Sequence, residues 1–199
     1  MQQRTTTPDA LPWERPDASG IDLGVPMIKT YRNEFERYKA MGEKAIGQLT
    51  DEGLNRLAGP ETNSVGMLVR HISGNFLSRF TDFLATDGEK SWRNREAEFA
   101  QRQYSRQEID ELWAQGWTVL FQTLDTLTDA DLPRPVKIRG LELSVDEALA
   151  RSLAHVAYHV GQIVLLARIV TAEQWKWITI PKGASQAYNQ APTMEKNLK

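Results

Sequence analysis

The sequence predicts an all-α protein: a four-helix bundle with a small β-hairpin before the last helix and an extended C-terminal tail. Four stretches of roughly 20–25 residues repeat apolar residues at alternating steps of three and four, the period of an amphipathic helix. With 41% hydrophobic and 25% charged residues, the 199-residue chain can bury a core of its own. Residues 1–20 carry three prolines and no such period, so we expect a flexible N-terminal arm followed by a single domain over residues 21–199.

The first two helices are predicted from their apolar stripes. The first stripe runs from Ile28 to Leu49, and Gly53 with the Ala-Gly-Pro at 58–60 marks the break that follows. The second helix is predicted to begin at Asn63 or Ser64, since either side chain can cap it. Its stripe continues to Leu84, and the Thr-Asp-Gly at 86–88 is expected to end it.

About 18 residues without a clear period precede the third helix, and a segment of that length can cross a bundle from end to end at about 3.3 Å per residue. The capping-box pattern Ser105–Glu108 predicts the start of the third helix, which runs to about Leu127. "VKIRGLEL" alternates around Arg139-Gly140 and predicts the hairpin. A second capping box, Ser144–Glu147, opens a fourth helix that runs to about Val170.

The tail after the fourth helix alternates Trp175, Trp177 and Thr179 with Lys176 and the two isoleucines, as a short extended segment does. A segment this aromatic is expected to pack rather than to hang in water, either as a strap over the bundle or as a dimer contact. The alternative is that "PKGAS" forms a backbone anion cup or lines a substrate mouth.

Composition removes several classes of function. The net charge of −2 gives no basic field for nucleic acid or for an anionic membrane surface, which disfavours both partners. The chain has no cysteine, so disulfides, thiolate metal ligands and a cysteine nucleophile are excluded. The N-terminus lacks the pattern of a signal peptide, and the apolar run "IVLLARIV" is too short to span a bilayer. We therefore expect a cytoplasmic protein.

The three histidines form the main candidate site. His155 and His159 are four residues apart on the predicted fourth helix, so both rings project from one face, a turn apart. His71 lies off the centre of the stripe of the second helix, much as His159 does on the fourth. Three histidines placed at random would show a pair with this spacing in only roughly 3% of cases. The other interpretation is that each ring is half-buried and satisfied by a backbone carbonyl.

A shared metal would have three neutral nitrogen ligands. The sequence contains neither His-Glu-x-x-His nor, in its helices, Glu-x-x-His, which excludes the zincin and di-iron carboxylate arrangements. Three imidazoles suit one divalent transition metal, with zinc or nickel expected first and iron or copper as alternatives. A closed structural zinc site takes four protein ligands, so a three-histidine site favours an open position for water or a substrate.

"SVGMLVRHISGNF" in the second helix and "AHVAYHVGQIVLLAR" in the fourth resemble the DinB-like (YfiT-like) superfamily of metal-dependent bundles. The "WKWITIPKGAS" tail is similar to a branch of unknown function, and the likeness covers residues 25 to 190. The resemblance implies an up-down-down-up four-helix bundle, a homodimer, and a divalent metal bound by His71, His155 and His159. Some relatives are transferases that use a low-molecular-weight thiol, and others are hydrolases.

The leading hypothesis is a metal-dependent transferase or hydrolase acting on a small molecule, with a low-molecular-weight thiol as a further partner. Asn75, Tyr158 and Gln162 are candidates for contacts with the ligand histidines or the substrate, although each has an alternative role in packing or in hydrogen bonds across the bundle. No general base is evident. The alternative is a non-enzymatic bundle in which a structural metal or histidine cluster stabilises an oligomeric interaction protein. A DNA-binding role has no support from the charge balance.

Overall fold

The computed structural model describes residues 25–193, so the predicted arm and its boundary lie outside the described residues. Within that range the protein is mostly helical, as predicted, and four of its helices are long. The helices are α1 (Met27–Ile46), α2 (Asp51–Asn55), α3 (Val65–Phe80), α4 (Arg95–Glu98), α5 (Arg106–Thr126), α6 (Val145–Thr171) and α7 (Ser185–Gln190).

A two-stranded hairpin lies directly before α6, as the sequence predicts. Strand β1 (Pro135–Ile138) pairs antiparallel with β2 (Leu141–Ser144), and Ile138 faces Leu141 across the turn. Arg139 and Gly140 both have positive φ, 55° and 74°, which matches the two-residue turn that fits the twist of a hairpin. The carboxylate of Asp87 accepts the backbone N–H groups of both turn residues.

The hydrophobic core is built mainly from α1, α3, α5 and α6, and aromatic rings fill its centre. The rings of Phe35, Phe76 and Trp117 meet edge to face at centroid distances of 5.0 to 6.4 Å. All three side chains are buried, and edge-to-face contacts add to the free energy gained from apolar burial. This aromatic cluster connects three of the four long helices.

Helices α3 and α5 approach each other closely because small residues face each other. A Cβ on Gly116 of α5 would lie 2.7 Å from the Cα of Ser73 in α3. Further along, the Thr123 hydroxyl donates to the Phe80 carbonyl, and the ring of Tyr104 lies against Gly66. These contacts fix how far α3 can slide along α5, and α3 carries one of the histidines.

Helices α1 and α6 are tied at both ends. The Tyr31 hydroxyl donates to the Asp146 carboxylate at 2.7 Å near the start of α6. At the other end, the Gln48 side chain accepts the N–H of Lys176 and donates to its carbonyl. The second contact holds the start of the tail, where Trp175 and Ile178 pack against the core.

The element boundaries differ from the predictions in several places. Helix α1 ends at Ile46 rather than near Leu49, because Thr50 caps the separate short helix α2. Helix α3 ends at Phe80, before Phe83 and Leu84, since Asp82 adopts a positive φ of 50° that no α-helix contains. Phe83 is nevertheless buried, so its place in the apolar pattern reflects burial in the core and not membership of the helix.

Two local patterns also differ. The Ser105 hydroxyl accepts the Glu108 N–H, but the Glu108 carboxylate pairs with Arg102 instead of completing the predicted capping box. The box at Ser144 and Glu147 is complete. After the tryptophans the tail is not a strand: it turns and forms the short helix α7.

Helix α6 and its last turn, Val145–Gln174, are long and apolar enough to cross a membrane by length and composition, with a mean hydropathy of 1.5 over 18 residues. The apolar run "IVLLARIV" lies within this longer helix. One such helix is weak evidence for a membrane span, because core helices of soluble proteins share these properties. Helix α6 packs against α1 and α3, and its histidines line a polar cavity.

The close approach of α3 and α5 can be tested by adding one methyl group. We expect Gly116→Ala to lower the free energy of unfolding by about 1–3 kcal/mol, because the new Cβ would overlap the backbone of Ser73. Gly161→Ala in α6 is the matched control: its Cβ meets nothing within 4 Å, so stability should stay equal or rise by up to about 1 kcal/mol. Urea unfolding measures both, and equal stability of the two variants would contradict the expected overlap.

Candidate metal centre

The fold brings the three predicted histidines together. His71 comes from the middle of α3, and His155 and His159 come from successive turns of α6. One ring nitrogen from each lies within 4.8 Å of the others, and the Nε2 atoms of His71 and His155 are 3.2 Å apart. His71 and His159 are buried, and His155 is half-buried at the cavity side.

Two of the rings are oriented by hydrogen bonds at their other nitrogen. His71 Nδ1 donates to the Glu98 carboxylate at 2.8 Å, and His159 Nδ1 donates to the Gln162 amide oxygen at 2.8 Å. Because these oxygens can only accept, each ring carries a proton on Nδ1. The Nε2 lone pairs of His71 and His159 are thereby left free, which is how proteins commonly prepare histidines to bind a metal.

Glu98 is buried and is held from two sides. Arg93, whose side chain is 2% exposed, donates from Nε and Nη2 to the two oxygens of Glu98 at 2.8 and 2.9 Å. Burial alone would raise the pKa of Glu98, but the hydrogen bonds from His71 and Arg93 outweigh it and hold that pKa below its usual value. Glu98 therefore keeps its negative charge next to His71.

Gly74 makes room for this carboxylate. It lies one turn after His71 on α3, and a Cβ there would stand 2.4 Å from Oε1 of Glu98. On the other side of His71, the ring of Phe99 lies 4.6 Å away between centroids. Short helix α4, which Asn94 caps, thus places its last residue and the next one directly against His71.

Burial keeps the two histidines of α6 neutral. The pKa of His155 falls to about 3, first because burial disfavours the imidazolium and then because of the neighbouring charges of His159, His71 and Arg93. Burial likewise lowers the pKa of His159 to about 4, although the hydrogen bond to Gln162 opposes the shift. Both rings are therefore unprotonated at neutral pH, the form that binds metals.

The histidines open into a cavity of about 560 Å³. Besides the three rings, its lining consists of arginines, polar groups and two apolar side chains: Arg79, Arg93, Arg95, Arg139, Arg151, Asn63, Asn75, Ser152, Tyr158, Gln162, Phe99 and Ile138. A cavity of this size can enclose a small molecule next to the histidines.

The donor set fits one divalent ion. Two nitrogens that share a tetrahedral ion at about 2.0–2.1 Å stand about 3.3 Å apart, close to the separation of the His71 and His155 Nε2 atoms. The convergent rings, their fixed protons and the buried carboxylate behind His71 are features of metal centres. These features do not select zinc over nickel or iron.

The other predicted residues lie around the same cavity. Gln162 links His159 to Tyr158, since its amide oxygen accepts from the ring and its nitrogen donates to the Tyr158 hydroxyl at 3.3 Å. Tyr158 is 63% exposed, and its ring lies edge to face with that of His159 at a centroid distance of 4.9 Å. Asn75 lines the cavity without a hydrogen bond to another described residue.

Sequence reasoning missed Glu98, Arg93 and Phe99. All three lie in the connector, where a helix of four residues is too short to show an apolar period. The capping residue Asn94 was the one local signal, and it gives no indication that Glu98 reaches His71.

Comparison with known structures identifies the class of fold. A crystal structure of a DinB-like protein from Bacillus cereus ATCC 10987 is similar over 70% of this chain and 89% of that chain, with a TM-score of 0.52 and 19% sequence identity. The chain therefore has a DinB-like fold. No curated protein matches the chain.

The family follows from a separate match. The family described as "Protein of unknown function (DUF1572)" matches residues 22–184, most of the chain. The protein belongs to this family and has a DinB-like fold, as the sequence resemblance predicted.

The contact between Glu98 and His71 gives a test of the site. We expect Glu98→Gln to weaken zinc or nickel binding by roughly 10- to 100-fold, because His71 loses its carboxylate partner and Arg93 is left buried without a countercharge. Glu96→Gln is the control on the same short helix, since Glu96 is 88% exposed and pairs only with Arg95. Calorimetric titration of both variants measures the change, and equal affinities would contradict a role for Glu98.

Burial of His155 and His159 predicts a pH dependence of the metal-free protein. In the unfolded chain both rings titrate near 6.5, whereas in the folded protein they titrate at about 3 and 4. Between these values the unfolded state binds more protons, so stability should fall as the pH drops from 6.5 towards 4. Each ring contributes at most about 1.4 kcal/mol per pH unit, and the half-buried His155 contributes less.

Urea unfolding of the chelator-treated protein between pH 7.5 and 4.5 measures this slope. The double variant His155→Gln and His159→Gln should lose stability less steeply than the wild type over the same range. Parallel slopes would mean that other groups cause the pH dependence.

Proposed function

We propose that this protein is a metal-dependent enzyme in which His71, His155 and His159 hold one divalent transition metal. The single observation that carries the proposal is the convergence of three ring nitrogens within 4.8 Å at the floor of a cavity. A bound metal would supply Lewis acidity for a substrate atom or would lower the pKa of a ligand such as water or a thiol. Zinc or nickel is proposed first, with iron as an alternative.

The residues of this chain would position the metal and the substrate. His71 and His159 keep their protons on Nδ1, so each presents an unprotonated Nε2 to the cavity. The open side, lined by Asn75 and Tyr158, leaves room for a small molecule. A transferase that uses a low-molecular-weight thiol, or a hydrolase, is the reaction class that the DinB-like resemblance implies. In either case the missing cysteine means that any thiol comes from outside the chain.

We further propose the up-down-down-up four-helix bundle. The contacts between α3 and α5 advance in the same direction along both helices, from Gly66 beside Tyr104 to Phe80 beside Thr123, which supports a parallel pair. The two ties between α1 and α6 support a second parallel pair, from Tyr31 to Asp146 and from Gln48 to Lys176.

A cytoplasmic homodimer that binds neither membranes nor nucleic acid completes the proposal. The outer side of α6 exposes Tyr158, Leu165 and Ile169. Leu165 lies about two turns after Tyr158, and Ile169 lies about one turn after Leu165, so the three side chains supply an apolar surface for a second copy. The net charge of −2 supports the absence of a nucleic-acid partner.

The alternative function is a non-enzymatic bundle stabilised by a structural metal or by the histidine cluster, acting in an oligomer. The apolar surface on α6 is the observation that favours it. The two functions differ in what the metal does for stability, so one set of variants separates them.

We expect wild-type protein, purified without an affinity tag or added metal, to contain close to one equivalent of a transition metal, and His155→Ala to lose it. Asn75→Ala, which changes the cavity but removes no ligand, is the control and should retain the metal. Mass spectrometry measures metal content, and thermal unfolding of the same samples measures stability. Full metal content in His155→Ala would overturn the proposed site.

The melting temperature then distinguishes the two functions. For an open catalytic site, His155→Ala should remove the metal while the fold stays intact and melts close to the wild type. For a structural metal, the same variant should melt many degrees lower.

A further inference from the structure

The cavity above the histidines has a charge opposite to that of the whole chain. Five of its fifteen lining residues are arginines, and no aspartate or glutamate is among them: Arg79, Arg93, Arg95, Arg139 and Arg151. The chain as a whole has a net charge of −2, so this concentration of guanidinium groups is local. The nearby acids Glu89 and Glu98 lie outside the lining and pair with Arg79 and Arg93.

The five arginines differ in how free they are. Arg93 is committed to Glu98 by two hydrogen bonds, and Arg79 is half-buried against the Gly88 carbonyl and Glu89. The charges of these two arginines are therefore already paired within the protein.

The other three lie at the rim with donors to spare. The side chain of Arg151 makes no ion pair or hydrogen bond with another described residue, and it lies one turn before His155 on the same face of α6. Arg95 pairs only with the 88% exposed Glu96, a contact of little strength, and lies over the Phe99 ring. Arg139 uses Nε for Glu89, so its terminal nitrogens remain available.

We propose that the cavity binds a small anionic substrate, whose carboxylate or phosphate group is held by Arg151 and Arg95 beside the three histidines. The planar guanidinium fork matches both kinds of anion with paired hydrogen bonds. Because the anion is held at the rim, the rest of the molecule reaches the floor, where the histidine nitrogens converge. This inference rests on the proposed function for the meaning of "substrate", but anion binding itself requires no metal.

The test uses chelator-treated, full-length protein, so that the metal does not contribute. Calorimetric titrations at low salt with pyrophosphate and with citrate give a phosphate arm and a carboxylate arm, and glycerol is the uncharged control. Wild-type protein should bind at least one of the two anions, and the arm that binds identifies the group recognised. Arg151→Gln and Arg95→Gln should each weaken that binding at least tenfold.

Two further variants make the result specific. Arg37→Gln removes a surface arginine of α1 that pairs with Glu34 far from the cavity, and it should bind as the wild type does. Arg151→Lys should restore only part of the affinity, because lysine has the charge without the fork. Binding of neither anion, wild-type affinity in Arg151→Gln and Arg95→Gln, or an equal loss in Arg37→Gln would overturn the proposal.

Zinc titration of Arg151→Gln separates this inference from the proposed function. Arginine at this position is not a metal ligand, so zinc affinity should match that of the wild type. If zinc binds but neither anion does, the anionic substrate is wrong and the metal centre stands. If an anion binds but no metal does, the metal centre is wrong and anion binding by the cavity stands.

Discussion

The buried carboxylate of Glu98 is the group on which the arrangement of the site depends. A charge removed from water is stable only when it is paired and hydrogen-bonded, and Arg93 and His71 together meet that requirement. The same bonds fix the proton of His71 on Nδ1 and turn its Nε2 towards α6. One buried ion pair thus determines the orientation of a ring that comes from a different helix.

The ion pair of Glu98 and Arg93 depends on how the surrounding helices pack. Gly74 leaves the space that the carboxylate fills, and Gly116 allows α5 to press on the far side of α3. Helix α3 therefore packs against α5 on one side and presents His71 to α6 on the other. The position of His71 depends on residues that never touch the cavity.

The long helices and the histidine pair were predictable because each reflects local sequence. Apolar periods mark the helices, Ser64 and Ser144 mark starts of two of them, and the four-residue spacing puts His155 and His159 on one face. The grouping of His71 with that pair was a hypothesis from sequence, since 84 residues separate His71 from His155.

Glu98 and Arg93 were missed because their roles arise from tertiary contacts of a connector that has no period of its own. The rim arginines were missed for the same reason: they come from separate segments that only the fold brings together.

Asp87 connects two segments of the chain beside the cavity, which Arg139 lines. Its carboxylate accepts three backbone N–H groups, from Glu89, Arg139 and Gly140, and so cross-links the connector after α3 to the tip of the hairpin. The Gly88 N–H adds a fourth tie by donating to the Lys137 carbonyl. These hydrogen bonds hold the tip of the hairpin at a fixed position relative to the connector. If the cavity binds a small molecule as proposed, these hydrogen bonds set the width of the entrance through which it passes.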